Sequence, residues 1–264
     1  MGVKAKRHFG QNFLKDDLYV SKIIESIPDC ARELRVVEIG TGLGDLTGRL
    51  LSCWDILTFE VDMDLRPYLE RRFQKELATG RLEIRFGDVM EEWQGHGLLA
   101  EPYVLVSNLP YYIATAMILK ALKDPMCRSL VVMVQKEVAE KFCAHQGERD
   151  FSALSVIAQS YGDVRLLFEV PPGAFEPVPK VTSAVFRLDK IREAIPSGLE
   201  ALLRLAFSAP RKKLIKNLSC AYQSGRLKEI FLNLGISEDS RPHELETSHY
   251  HRLLNILSEG HGET

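Results

Sequence analysis

Val36-Val37-Glu38-Ile39-Gly40-Thr41-Gly42-Leu43-Gly44-Asp45-Leu46-Thr47 is the stretch that decides the fold. An apolar run ends in three glycines at alternate positions, and a helical pattern opens directly behind them. Glycines there let the backbone turn sharply and let a ligand approach the main chain. The stretch therefore reads as strand, loop and helix of a parallel sheet. Working outward, 34–39, 55–61, 81–86, 103–107 and 129–134 are strand-like, with helical patterns at about 17–27, 44–52, 64–78, 112–122 and 135–143. Strands spaced by helices make βαβ units, hence a Rossmann-like α/β sheet covered on both faces. Residues 163–170 and 183–188 predict two more strands flanking the proline-rich loop 171–179. With no helix between them, they are expected as antiparallel neighbours at one edge.

Beyond Leu188 only helical periodicity remains, at 198–208, 212–223, 226–233 and 246–258, broken by Pro210, Gly225, Gly235 and Pro242. Two domains are expected, a sheet domain over 1–188 and a smaller all-helical one over 189–264. Apolar residues at 45% and charged residues at 27% are ordinary for a globular chain. There is no run of 18 apolar residues, which argues against a membrane span. The basic N-terminus has no apolar stretch behind it, so it does not read as a secretory signal. Five cysteines without a Cys-x-x-Cys pair argue against a zinc site or a disulfide framework and suit a reducing cytoplasm. Cys143 and His145 read as structural. No metal is expected, and a monomer is. A net charge of −2 gives no overall basicity. Two acid-free basic islands do exist: Lys4, Lys6, Arg7 and Lys15, and then Arg211, Lys212, Lys213 and Lys216. These are candidate phosphate contacts.

Acids sharpen the reading of the glycine loop. A dinucleotide fingerprint counted from Gly40 has Gly or Ala at its sixth position, where this chain has Asp45. A carboxylate at a helix N-terminus repels a pyrophosphate, which disfavours a nicotinamide dehydrogenase and favours a cofactor without phosphates. Glu60 ends the next strand, where a carboxylate can accept both hydroxyls of a ribose. Asp88 ends the third, where it can take the amino group of an adenine. Glycine, Glu and Asp at three successive strand ends resemble the S-adenosyl-L-methionine site of class I methyltransferases.

Ser107-Asn108-Leu109-Pro110-Tyr111 follows the fourth strand. Asn108 through Tyr111 match the tetrapeptide of enzymes that methylate exocyclic or amide nitrogens. An adenine N6 is a poor nucleophile because its lone pair is delocalised into the ring. Accepting both N–H hydrogens, on the Asn108 side-chain oxygen and the Leu109 carbonyl, would draw the nitrogen toward sp³ geometry. Pro110 stiffens the turn, and Tyr111 offers a face for a flipped base. Positioning then supplies most of the acceleration, with no strong general base. Phe175, in the proline-rich loop, reads either as a second, exposed ring opposite Tyr111 or as a buried staple of that loop.

Together these motifs resemble the rRNA adenine N6,N6-dimethyltransferases of the ribosomal RNA small subunit methyltransferase A family, over nearly the whole chain. Phe9-Gly10-Gln11-Asn12-Phe13-Leu14 is similar to that family's cofactor-capping segment, which implies contacts from Asn12 and Leu14. The resemblance implies that Gly40, Glu60, Asp88 and Asn108 line the S-adenosyl-L-methionine site, and that Asn108, Leu109, Pro110, Tyr111 and Phe175 hold the target adenine. It further implies two adjacent adenines near the 3′ end of small-subunit rRNA as substrate, within a pre-30S particle, and a role in subunit biogenesis. Erythromycin-resistance methyltransferases share many of these signatures. The C-terminal run 207–218 and Arg241-Pro242-His243-Glu244-Leu245 are similar to the small-subunit family instead. Pro210 stands where Arg is usual, which removes one phosphate contact, and Ala114 where Ser is frequent.

Overall fold

The computed structural model describes residues 12–94 and 97–259. Lys4, Lys6, Arg7 and the Phe9-Gly10-Gln11 half of the capping segment lie outside the described residues. Nine strands are β1 (Phe13–Leu14), β2 (Arg35–Ile39), β3 (Ile56–Glu60), β4 (Leu82–Phe86), β5 (Tyr103–Asn108), β6 (Cys127–Gln135), β7 (Gly162–Val170), β8 (Phe175–Glu176) and β9 (Ser183–Lys190) among the described residues. Seven of them form one sheet in the order β4-β3-β2-β5-β6-β9-β7, and β1 pairs with β8 apart from it. The pairs β2–β3, β3–β4, β2–β5 and β5–β6 are parallel, while β9 runs antiparallel to β6. The five expected parallel strands are all present, and the two late strands are neighbours at one edge, as expected.

The order matters more than the count. The chain lays β2, β3 and β4 outward in one direction, then returns to place β5 against β2 on its other side. The carboxyl ends of β2 and β5 therefore flank the point where strand order reverses, the place where open α/β sheets bind ligands. Val36, Val37, Leu57, Val104, Leu105, Leu130 and Val132 are fully buried, as strands covered on both faces require.

The described chain divides into two compact units. One runs up to Ala139 and takes in Arg165–Glu193, and it is built on the sheet. The other takes Glu140–Val164 together with everything from Ala194, and is helical. The sequence pattern keeps 140–164 with the sheet; the structure groups it with the C-terminal helices. The main reason is the helix Ala153–Tyr161, which the sequence pattern does not predict. Its Ser155, Val156, Ile157, Ala158, Ser160 and Tyr161 are all buried, so it shows no one-sided apolar stripe to read. Within that unit it packs with the helices Leu199–Ala206 and Thr247–Glu259. Phe207 stacks at 5.6 Å on Tyr250, whose hydroxyl donates to Pro242 O at 2.6 Å.

One helix expected as continuous over 64–78 is two, Arg66–Arg72 and Gln74–Ala78, parted at Phe73 (φ −113°, ψ 25°). The Phe73 ring occupies the space that a side chain at Gly44 would need: a Cβ there would lie 2.5 Å from Cε2. Gly44 also has φ +83°, a conformation open mainly to glycine. The glycine loop is thus backed by an aromatic wedge.

Candidate active site

β2 and β5 end side by side. Ser107 Oγ donates to Ile39 O at 2.5 Å, and Gly40 N donates to Phe59 O at 2.8 Å, which ties the loop to β3 as well. Past these ends lies a cleft of about 760 Å³, open to solvent, lined by Asn12, Leu14, Gly40, Gly42, Glu60 and Asn108 through Tyr111, among others. A second, smaller cavity holds Asp88 with Gly87 and Met117, and shares Gly40, Val61 and Pro110 with the first. The residues singled out at the ends of β2, β3, β4 and β5 therefore meet along one edge.

Asn108 is half-buried, and its Nδ2 donates to Asn12 O at 3.2 Å. That bond fixes which end of the amide is the donor and leaves the oxygen as its acceptor. Leu109 is 1% exposed, with its N–H donating to Met133 O. The Tyr111 hydroxyl lies 2.6 Å from Ser183 Oγ, which holds the ring by its far end. Burial pushes the Tyr111 phenol above its ordinary pKa.

Glu60 is 3% exposed and already employed: one carboxylate oxygen accepts from Gly42 N at 2.7 Å and the other from Asp62 N at 2.8 Å. Each oxygen has further lone-pair capacity, so a ribose contact remains open to it while it shapes the loop. Burial raises its pKa despite those donors. Asp88 is exposed, and its Oδ1 caps the short helix behind it by accepting from Met90 N at 2.8 Å.

Two expectations change. Phe175 is 3% exposed and lies in the hydrophobic core; it is not the exposed ring expected opposite Tyr111. Its register partner is Leu14, so its place is behind the Asn12–Leu14 segment. Asp45 contacts Lys15 and also Arg72, at 3.0 Å. Its repulsion of phosphate is damped by these cations, which weakens the argument drawn from Asp45 alone.

Three cleft residues lie beyond those expected from the sequence. The Phe13 ring covers Gly42, where an added Cβ would sit 3.1 Å from its Cδ1. Tyr112 lines the second cavity. Glu38, in the middle of a buried strand, is 1% exposed and accepts from Thr47 Oγ1 at 2.6 Å. Desolvation pushes its carboxyl up to about 8. A charged residue inside an apolar run is the signal available for Glu38, and Phe13 sits within the capping segment named above; Tyr112 gives none.

The chemistry of these donors and acceptors fits an adenosyl ligand. Carboxylates suit its hydroxyl and amino groups, Gly40 brings the main chain to the wall of both cavities, and the second cavity has an apolar floor. Among the described residues, no group of His, Cys, Asp and Glu is arranged to hold a metal ion.

In the helical unit, Arg211, Lys212, Lys213 and Lys216 are exposed and line one hollow with Arg241 and Asp239. Lys213 is ion-paired with Asp239, which leaves it less available than the other three. The helix expected over 212–223 begins at Leu214 and ends at Leu218.

Comparison with known proteins matches the family described as "Ribosomal RNA adenine dimethylase" over residues 2–259. The chain is 49% identical to a protein of Sulfurimonas denitrificans named ribosomal RNA small subunit methyltransferase A, over 96% of this chain and 94% of that one. Two solved structures, each 24% identical, share the fold: a dimethyladenosine transferase from Plasmodium falciparum (TM-score 0.77, 94% of this chain, 98% of that one) and the 23S rRNA methyltransferase ErmE (TM-score 0.74, 94% and 100%). The match spans sheet and helices alike, and this chain belongs to the ribosomal RNA adenine dimethylase family.

Proposed function

We propose that this enzyme dimethylates N6 of two adjacent adenines near the 3′ end of small-subunit rRNA, four methyls in all, using S-adenosyl-L-methionine. It acts as a cytoplasmic monomer on a pre-30S particle. The observation that carries the reading is the fixed Asn108 amide in the first cavity, two residues before Pro110, which lines both. When bound, the donor supplies an electrophilic methyl on a sulfonium. Asn12, Leu14, Gly40, Glu60, Asp88 and Asn108 would hold it, the Glu60 carboxylate at its ribose and Asp88 at its purine amino group.

The remaining work belongs to the chain. With Nδ2 committed to Asn12 O, the Asn108 oxygen accepts one N6 hydrogen and the Leu109 carbonyl the other, aiming the lone pair along the transfer line. Pro110 holds the turn, and Tyr111, anchored at Ser183, presents its face to the extruded base. Phe175 acts from behind: by pairing with Leu14 it keeps the capping segment over the cleft. Specificity for the small subunit is supported by the name of the Sulfurimonas relative. Phosphate contacts from Arg211, Lys212 and Lys216, with Lys213 in support, would carry much of the affinity for folded RNA.

The test is transfer of labelled methyl groups to small subunits from a methylation-deficient strain. Asn108→Ala is expected to abolish dimethyladenosine formation while particle affinity stays within about threefold, because removing a positioning contact costs rate before binding. Normal dimethyladenosine levels with that variant would reject the assignment. The basic hollow also supports a second role, as a binding checkpoint in subunit assembly. A Glu60→Ala, Asn108→Ala double variant that still sustains normal subunit maturation would favour it.

A further inference from the structure

Tyr112 follows the tetrapeptide directly, yet it differs sharply from its neighbours. It is 64% exposed, whereas Leu109 is 1% exposed and Tyr111 is half-buried. Tyr111 lines the first cavity and Tyr112 the second. The floor of that second cavity includes Phe59 and Met117, 1% and 4% exposed, and its rim carries Val61, the Gly87 backbone and the Asp88 carboxylate. An apolar slot with an acceptor at its edge complements a heteroaromatic ring that bears an amino group. An exposed aromatic ring beside such a slot has a face to offer it.

We propose that Tyr112 is the aromatic wall of the donor's purine pocket, covering the ring whose amino edge meets Asp88. It is a binding residue for the donor and not a contact for the target base, which falls to Tyr111 in the other cavity. The inference rests on the reading of this edge as the S-adenosyl-L-methionine site. It adds the residue that selects a purine there.

The experiment uses the full chain and S-adenosylhomocysteine as the probe. Its Kd is measured calorimetrically for the wild type, Tyr112→Phe and Tyr112→Ala, and KM for under-methylated small subunits is measured in parallel. Loss of a stacking ring costs roughly five- to a hundredfold in affinity. Tyr112→Ala is therefore expected to raise Kd by at least fivefold and Tyr112→Phe by less than twofold, with KM for the particle unchanged in both. Matching thermal melts keep a folding defect from imitating the effect. An unchanged Kd with a raised particle KM would give the ring to the RNA and overturn the proposal. An unchanged Kd and KM would make the ring plain surface and overturn it equally. Failure of the wild type itself to bind the probe would instead remove the donor-site reading beneath it.

Discussion

Replacing Gly44 with alanine tests whether the aromatic wedge fixes the glycine loop. Two costs add. An L-residue at φ +83° pays about 1–2 kcal/mol for the left-handed conformation. The new methyl also meets Phe73 Cε2 at 2.5 Å and Cζ at 2.7 Å. Phe73 is 5% exposed and its neighbour Leu69 fully buried, so relief requires repacking, at about 1–3 kcal/mol. Gly80→Ala is the control: φ is +72° but nothing lies within 4 Å of the new atom, so only the conformational cost applies. Both tryptophans, Trp54 and Trp93, lie in the sheet unit, so their fluorescence follows its melting. Gly44→Ala is expected to lower Tm by roughly 5–15 °C and Gly80→Ala by only about 2–6 °C. Pairing Gly44→Ala with Phe73→Leu should recover part of the difference. If the two alanine variants melt within about 2 °C of each other, the ring gives way freely and the wedge argument fails.

Three further outcomes follow from buried charge and surface charge. The folded Glu38 carboxyl titrates near 8 against an ordinary 4.5, so the folded state holds that proton more tightly and stability falls as pH rises between those values. Glu38→Gln keeps an acceptor for Thr47 and should flatten that slope, stabilising the protein by up to about 4 kcal/mol at pH 8 and by little at pH 4.5; urea titrations across that range would decide it. One oxygen of Asp124 accepts from Trp93 Nε1, Leu98 N and the Tyr103 hydroxyl, and the other from Met126 N. Asp124→Asn should cost about 2–4 kcal/mol and shift Trp93 emission; an unchanged melt would show that water or repacking replaces the lost acceptor. Lys212→Ala and Lys216→Ala should each lower the log–log salt slope of particle binding by about one. Lys213→Ala, its partner being Asp239, should lower it by less than half as much, and equal effects from all three would discount the ion pair.

Much of this molecule is legible in its sequence because the informative contacts are local or periodic. The parallel strands are short apolar runs bounded by turn residues, and the glycines, Glu60, Asp88 and Asn108 fall at their ends, where topology alone aligns them. What is not legible depends on distant partners. Phe175 reads as an exposed loop aromatic or as a buried staple until it is known to pair with Leu14. Asp45 looks like a bare carboxylate until Lys15 and Arg72 close on it. The break at Phe73 falls where its ring packs against Gly44, a residue far off in sequence, and the helix Ala153–Tyr161 is buried on too many sides to show a period. Glu38 is visible as a misfit in its strand, but its proton affinity comes from desolvation, which only packing reveals.

The pairing of Phe13 with Glu176 and of Leu14 with Phe175 has a consequence for how the protein is made. Those partners lie at opposite ends of the sheet unit's sequence, so closing them draws on the longest loop in that unit, and contacts of such separation form late. A nascent chain released as far as Tyr111 would own the glycine turn and the tetrapeptide but not the roof above them. Competence thus waits on synthesis of the proline-rich loop, and ligand capture becomes a signal that this part of the molecule has been finished.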